Sequence, residues 1–279
     1  MGYIRRRNEM KKSLVLILVL IVFAPGSVFS HIITFKFGPF IPRAQYEVPR
    51  NNLWWLEFDR MSFDKEDYVN LNLGFCFEYF LTKRISLVLS VDRYKRNKSG
   101  HYGGYVGYYG TTLGTDDDFA FPDIYGGEFN PRHSFSVSIT PIQVSVKLTP
   151  IERAISFGSF GQRPKLIPYI GVGIGVYLWN VSLQGEIIDF DNEWTYSDPD
   201  TGVDVPIYPI LAADAHEKNR RTVGYHAFGG LMFPVTRRMT FELEFKYNLV
   251  KGDLKEGFVG FEKFDLSGYQ LSVGINYWF

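Results

Sequence analysis

Seven charged residues in this chain stand next to apolar neighbours in alternating stretches. Lys36 lies between Phe35 and Phe37, Glu78 between Phe77 and Tyr79, and Lys147 between Val146 and Leu148. Asp92 follows Val91, while Glu242, Glu244 and Lys246 alternate with Phe241, Leu243 and Phe245. Three lysines and four carboxylates at such positions have two uses: a buried network in which each charge is satisfied by a partner, or a gated path for ions or small solutes. Acyl-transfer chemistry needs a nucleophile beside a base. His133, Ser134 and His101 are the candidates, and none has a recognisable catalytic spacing. Cys76 reads as a small packed residue and His226 as an interior hydrogen-bonding residue. One cysteine cannot build a disulfide framework or a thiolate zinc cluster, and 30 basic against 30 acidic side chains give no electrostatic reason to expect nucleic acid. Two oxygen-rich stretches, Asp116-Asp117-Asp118 and the set Asp189, Asp191, Glu193, Asp198, Asp200 and Asp204, lack the spacing of a calcium-binding EF-hand and read as solvated charge. No cofactor and no metal are expected.

The elements that carry these residues show a period of two. Tyr269, Leu271, Val273, Ile275, Tyr277 and Phe279 fall on one face of the last segment and Gln270, Ser272, Gly274, Asn276 and Trp278 on the other. In 239–249 one face is wholly apolar and the other wholly polar. The same alternation places eight strands near 32–40, 67–80, 85–96, 133–149, 164–185, 222–233, 239–250 and 264–279. At Pro141 the apolar phase changes from Phe135, Val137 and Ile139 to Ile142, Val144, Val146 and Leu148, which predicts a bulge. Gly171, Gly173 and Gly175 lie inside a strand rather than between a strand and a helix, so they read as room for bulky neighbours and not as a phosphate loop.

Residues 1–30 have the parts of a secretory leader. Arg5, Arg6, Arg7, Lys11 and Lys12 precede an apolar run from Leu14 to Phe23, and Val28-Phe29-Ser30 precedes an expected cut at His31. The apolar run is about half the roughly twenty residues that a spanning helix needs. Met10 is an alternative start. Cleavage removes five positive charges and Glu9, which leaves residues 31–279 as one barrel domain with a net charge of −4.

The links between strands are alternately short and long, as in a membrane barrel with tight periplasmic turns and extended outer loops. Closure satisfies every backbone donor and acceptor that would otherwise face hydrocarbon. The expected fold is therefore all-β, an eight-stranded antiparallel up-and-down transmembrane β-barrel. Tyr79, Phe233, Tyr277 and Phe279 are expected in a periplasmic-side aromatic girdle, and Tyr94, Trp179, Tyr225, Tyr247 and Tyr269 in an outer one. The competing fold is a water-soluble lipocalin-like barrel with its apolar face inward.

The terminal Leu271-Ser272-Val273-Gly274-Ile275-Asn276-Tyr277-Trp278-Phe279 resembles the sorting signal of Gram-negative outer-membrane proteins, with Val273, Ile275, Tyr277 and Phe279 as the face read by the barrel-assembly machinery. Together with 168–175, 225–230 and 79–87, it resembles the small eight-stranded outer-membrane barrels of the W and A types over nearly all of residues 31–279. The chain departs from the A type in having no peptidoglycan-binding domain after the barrel, so a wall-tethering role is not implied. The resemblance implies an outer-membrane location, lipid and lipopolysaccharide as neighbours, and for the W type a side portal for apolar solutes.

An eight-stranded barrel is only wide enough for its interior side chains to fill it. Lys36, Glu78, Asp92, Lys147, Glu242, Glu244 and Lys246 are expected to form an interior charge network. A non-catalytic, monomeric envelope-structural or surface-interaction protein is the leading expectation, with a narrow channel or transporter and an outer-membrane enzyme as alternatives. Trp54-Trp55 and the tyrosines of 97–132 supply either an extracellular ligand surface or packing against one another or lipopolysaccharide.

Overall fold

The computed structural model describes residues 31–45, 51–151, 166–198, 202–236 and 238–279. The leader, residues 164 and 165 of the fifth expected strand, most of the 150–164 link and Asp200 lie outside these. The period-two segments pair as eight strands: β1 (Ile32–Pro42), β2 (Asn70–Phe80), β3 (Ile85–His101), β4 (Arg132–Leu148), β5 (Ile167–Ile188), β6 (Asp204–Pro234), β7 (Met239–Leu249) and β8 (Gly268–Trp278). Each pairs antiparallel with its sequence neighbours, and β8 pairs back onto β1 from Ile32↔Trp278 to Pro42↔Gly268, which closes the ring. His31 and Phe279 exchange backbone hydrogen bonds of 2.9 and 3.0 Å at the seam. The barrel has no open edge, so its wall presents no unpaired row of amides.

The wall is inverted relative to a water-soluble barrel. Phe35, Phe37, Leu73, Phe75, Leu243, Phe245 and Val273 stand on its outer face, while lysines and carboxylates are buried within. An exterior band of this extent belongs in hydrocarbon, and the lipocalin-like alternative, which needs the opposite arrangement, does not fit. Among the described residues no helix is long and apolar enough to cross a membrane.

The expected bulge at Pro141 is absent. The β3–β4 register keeps one offset across it, from Val91↔Ile142 to Tyr94↔Ile139, and β4–β5 pairing includes Pro141↔Tyr177. What changes at this level is the chemistry of the two faces. Phe135, Val137 and Ile139 point inward and are buried, whereas Ile142, Val144, Val146 and Leu148 point outward. β5 changes in the same way, with Ile170, Val172, Ile174 and Val176 outward and Tyr177, Trp179, Val181 and Leu183 buried. Below this level the barrel has a polar interior and an apolar coat; above it the interior is apolar and the coat polar. Two members of the expected outer girdle are reassigned accordingly: Tyr94 and Trp179 are interior residues, and Tyr225 and Tyr269 stand on the exterior.

Strands also run further than the sequence pattern suggests. β5 and β6 stay paired out to Ile188↔Ile210, where the 186–220 segment was expected to be loop. A register shift between Trp179 and Val181 is filled by Asn219, whose φ is 56° and whose amide donates to Asn180 Oδ1 at 2.6 Å. Past it the ladder carries a small sheet. Residues Trp194–Ser197 pair with Asp204–Ile207, and Phe119–Pro122 bridges Tyr105–Tyr108 to Tyr208 and Pro209.

Candidate functional site

The lower interior brings all seven predicted charges together, each no more than 5% exposed. Lys36 Nζ donates to both oxygens of Glu244 at 2.8 Å and lies 3.4 Å from Glu242 Oε1. Lys147 Nζ donates to Glu78 Oε2 at 2.9 Å, reaches Glu242 Oε2 at 3.9 Å and stands 3.9 Å from the centre of the Tyr169 ring. Lys246 Nζ donates to Asp92 Oδ2 at 2.7 Å and to Gln143 Oε1 at 3.1 Å. Three cations thus face four carboxylates, with Glu242 shared between two lysines and also accepting from Asn276 Nδ2 at 3.2 Å.

Neutral groups complete the network. Tyr169 donates its hydroxyl to Glu244 at 3.0 Å, Ser86 donates to Glu78, and Gln143 Nε2 donates to the Tyr177 hydroxyl and to Asn248 Oδ1. His226 and Ser145 are hydrogen-bonded at 2.7 Å, and Cys76 packs inward beside them. The glycines of β5 provide the room expected of them: a Cβ on Gly171 would lie 2.3 Å from the Phe228 ring, and one on Gly173 would lie 2.3 Å from Val144 O. The space left in this network is about 10 Å³, room for roughly one water.

The upper interior is filled differently. Helix α1 (Leu53–Arg60) is N-capped by Asn52, whose Oδ1 accepts from the Trp55 amide at 3.2 Å. The helix presses Leu53 and Trp54 into the barrel mouth. The Trp54 indole stacks on Phe58 and Phe264, meets Tyr68 and Phe135 edge-on, and donates to Asp265 O at 2.8 Å. Asp265, itself wholly buried, is held by Arg43 Nε at 2.9 Å and Nη2 at 3.2 Å. Trp54 is therefore a cork and not part of an adhesive surface; Trp55 beside it is half-buried.

Beside the cork lies an apolar cavity of about 230 Å³, lined by Leu53, Leu183, Ile187, Phe190 and Phe258 with the Glu57–His133 pair on its wall. His133 Nε2 lies 3.0 Å from Glu57 Oε2, and both residues are buried. Burial pushes the Glu57 carboxyl above the ordinary carboxylate range, and the hydrogen bond and charge of His133 offset part of that rise. A raised carboxyl means that the docked helix holds its proton more readily than the undocked chain does. The stabilisation is complete below the ordinary carboxylate range and is lost as pH rises through the raised value. Protease protection of residues 51–68 is expected to fall over that window, and Glu57→Gln, permanently neutral, is expected to flatten the profile. An unchanged slope in the variant would clear Glu57 of the effect.

The expected catalytic candidates do not converge. His133 faces inward to Glu57, whereas Ser134, the next residue along the strand, faces outward and donates to Gln184 O at 3.3 Å. His101 Nδ1 lies 3.2 Å from Ser62 Oγ at an exposed position. Among the described residues no three His, Cys, Asp or Glu side chains are grouped to hold a metal. Val273, Ile275, Tyr277 and Phe279 share the outer face of the last strand. Glu57, Gln143, Tyr169 and the Arg43–Asp265 pair escaped the sequence reading. Gln143 and Tyr169 lie on inward-facing positions that the alternation does identify, whereas nothing local marks Glu57.

No protein-family model and no curated protein matches the chain. Among solved structures it is similar to Neisserial surface protein A, at 11% identity over 91% of this chain and 98% of that one, with a TM-score of 0.42. It is similar also to the outer membrane protein OprG from Pseudomonas aeruginosa, at 11% identity over 90% and 96% with a TM-score of 0.42. A third is Ail, the attachment invasion locus protein of Yersinia pestis, in complex with the heparin analogue sucrose octasulfate, at 10% identity over 90% and 97% with a TM-score of 0.40. The ring of paired strands, closed from β8 onto β1, by itself makes this chain an eight-stranded antiparallel barrel.

Proposed function

We propose that this chain is a non-catalytic outer-membrane barrel that does not conduct and that works through its extracellular half, in an envelope-structural or surface-interaction role. The observation that carries this reading is the filling of the interior in two successive layers, a charge network below and an aromatic cork above. A barrel of eight strands has no width to spare once such residues occupy it. The built structure beyond the apolar coat, the β5–β6 ladder and the sheet at its tip, is where a partner has access. Residues 1–30 serve as the leader, Val273, Ile275, Tyr277 and Phe279 present the face read during assembly, and lipid with lipopolysaccharide surrounds a monomer.

Planar-bilayer recording of the folded protein is expected to show no discrete conductance steps. Regular steps would overturn the reading in favour of a channel. A second reading, capture of small apolar solutes, has one observation of its own: the apolar cavity beside the cork. In that case Leu183→Trp, which fills the cavity, is the variant that abolishes uptake.

A further inference from the structure

The tip of the extracellular ladder holds a second cavity, of about 240 Å³, and its walls differ in kind from the first. Tyr108, Phe121, Tyr125 and Tyr196 supply four aromatic rings, and Asp198 and Thr112 supply the polar edge. The rings are set at angles to one another. Phe121 meets Tyr108 edge-on at 4.8 Å and 71°, and meets Tyr196 at 5.4 Å and 73°. The floor is fixed by the buried cluster of Phe119, Phe121, Val205 and Ile207, so the rings of Tyr108, Phe121 and Tyr196 are mounted on paired strands, and Tyr125 stands on the single turn Asp123–Tyr125. The Tyr108 hydroxyl donates to Tyr125 O at 3.3 Å, which ties the outer wall to the inner one.

The charged residue among those lining this pocket is Asp198. The described residues of the stretches that build it, 102–131, 189–198 and 202–210, include ten Asp and Glu residues and no Lys or Arg. A neutral apolar guest gains nothing from that field, and an anionic one is repelled by it. An organic cation gains twice, from the negative faces of the rings and from the surrounding carboxylates, and a quaternary ammonium has the size and the apolar shell to fill a ring-lined cup.

We infer that the tip pocket bounded by Tyr108, Phe121, Tyr125, Tyr196 and Asp198 is a binding site for a small organic cation of the quaternary-ammonium class. This deepens the surface-interaction reading by giving it a ligand chemistry. Binding to the purified barrel does not depend on that reading, because conductance tests the lower interior and the ligand tests the tip.

The test is calorimetric titration of the detergent-folded full-length protein with choline, and with 3,3-dimethylbutan-1-ol, which has the same shape with carbon in place of the charged nitrogen. Choline is expected to bind saturably and the alcohol about tenfold or more weaker. Tyr125 is 43% exposed, so Tyr125→Leu leaves the fold intact, and it and Tyr196→Leu are each expected to weaken choline by about five- to thirtyfold. Asp198→Asn is expected to weaken choline without changing the alcohol. Equal affinity for the two compounds, no saturable binding of choline into the millimolar range, or full affinity in both tyrosine variants would each overturn the assignment. Binding of a neutral methyl hexoside in preference to choline would overturn it as well, in favour of a sugar.

Discussion

Lys246→Met is expected to lower the stability of the folded barrel by about 3–5 kcal/mol, the cost of breaking a buried ion pair from one side. The loss comes less from the missing ammonium than from what it leaves behind. Asp92 Oδ2 loses its 2.7 Å partner, and Asp92 Oδ1 already has no hydrogen-bond partner. The carboxylate would then be buried in a layer whose free space is about one water. Lys36 and Lys147 are committed to Glu244 and Glu78 and are not placed to replace it. Combining Lys246→Met with Asp92→Asn removes both charges, and this double variant is expected to recover more than half of the loss, since a neutral pair of similar volume costs little. Urea unfolding in detergent micelles, followed by tryptophan fluorescence and by the heat-dependent gel shift, measures both. Additive losses in the double variant would show that the two residues do not act as a pair.

Trp54→Ala should have a comparable effect on a different part of the molecule. Truncating a buried tryptophan costs about 3–5 kcal/mol, and here the cost falls on the docking of α1. Four aromatic partners lose a ring face and Asp265 O loses its 2.8 Å donor. The barrel below does not use this side chain, so the gel shift is expected to survive while residues 51–68 become sensitive to protease. Conductance is still expected to be nil, because the charge network remains in place beneath the vacated mouth. If the variant conducted, the cork alone would be the barrier, and the lower layer would have to be a path.

The contrast between these two layers explains what was legible in the sequence. Lys36, Glu78, Asp92, Lys147, Glu242, Glu244 and Lys246 could be found because strand alternation fixes which way a side chain points, and a charge that points inward in a narrow barrel must meet another. The cork could not be found in this way. α1 has two turns, and Trp54 meets the barrel interior through Phe135 and Phe264, far along the chain. The added length of β6 falls in the acidic stretch that read as loop, and its Pro206 and Pro209 lie in the paired tip. At Pro141 the pattern was read correctly as a change of phase and wrongly as a bulge. Alternation alone does not separate a slip in the backbone from a change of surroundings.

That change of surroundings along β4 has a consequence for assembly fidelity. A one-residue slip in a strand exchanges its two faces. In the lower half of β4 a slip would carry Gln143, Ser145 and Lys147 into hydrocarbon. In the upper half the same slip would carry Phe135, Val137 and Ile139 into water. The two halves have opposite patterns but reject the same error at the depth that the apolar coat of the other strands fixes. Correct registration is thus encoded twice in one strand, by lipid at one end and by water at the other, once the remaining strands set the depth of the ring.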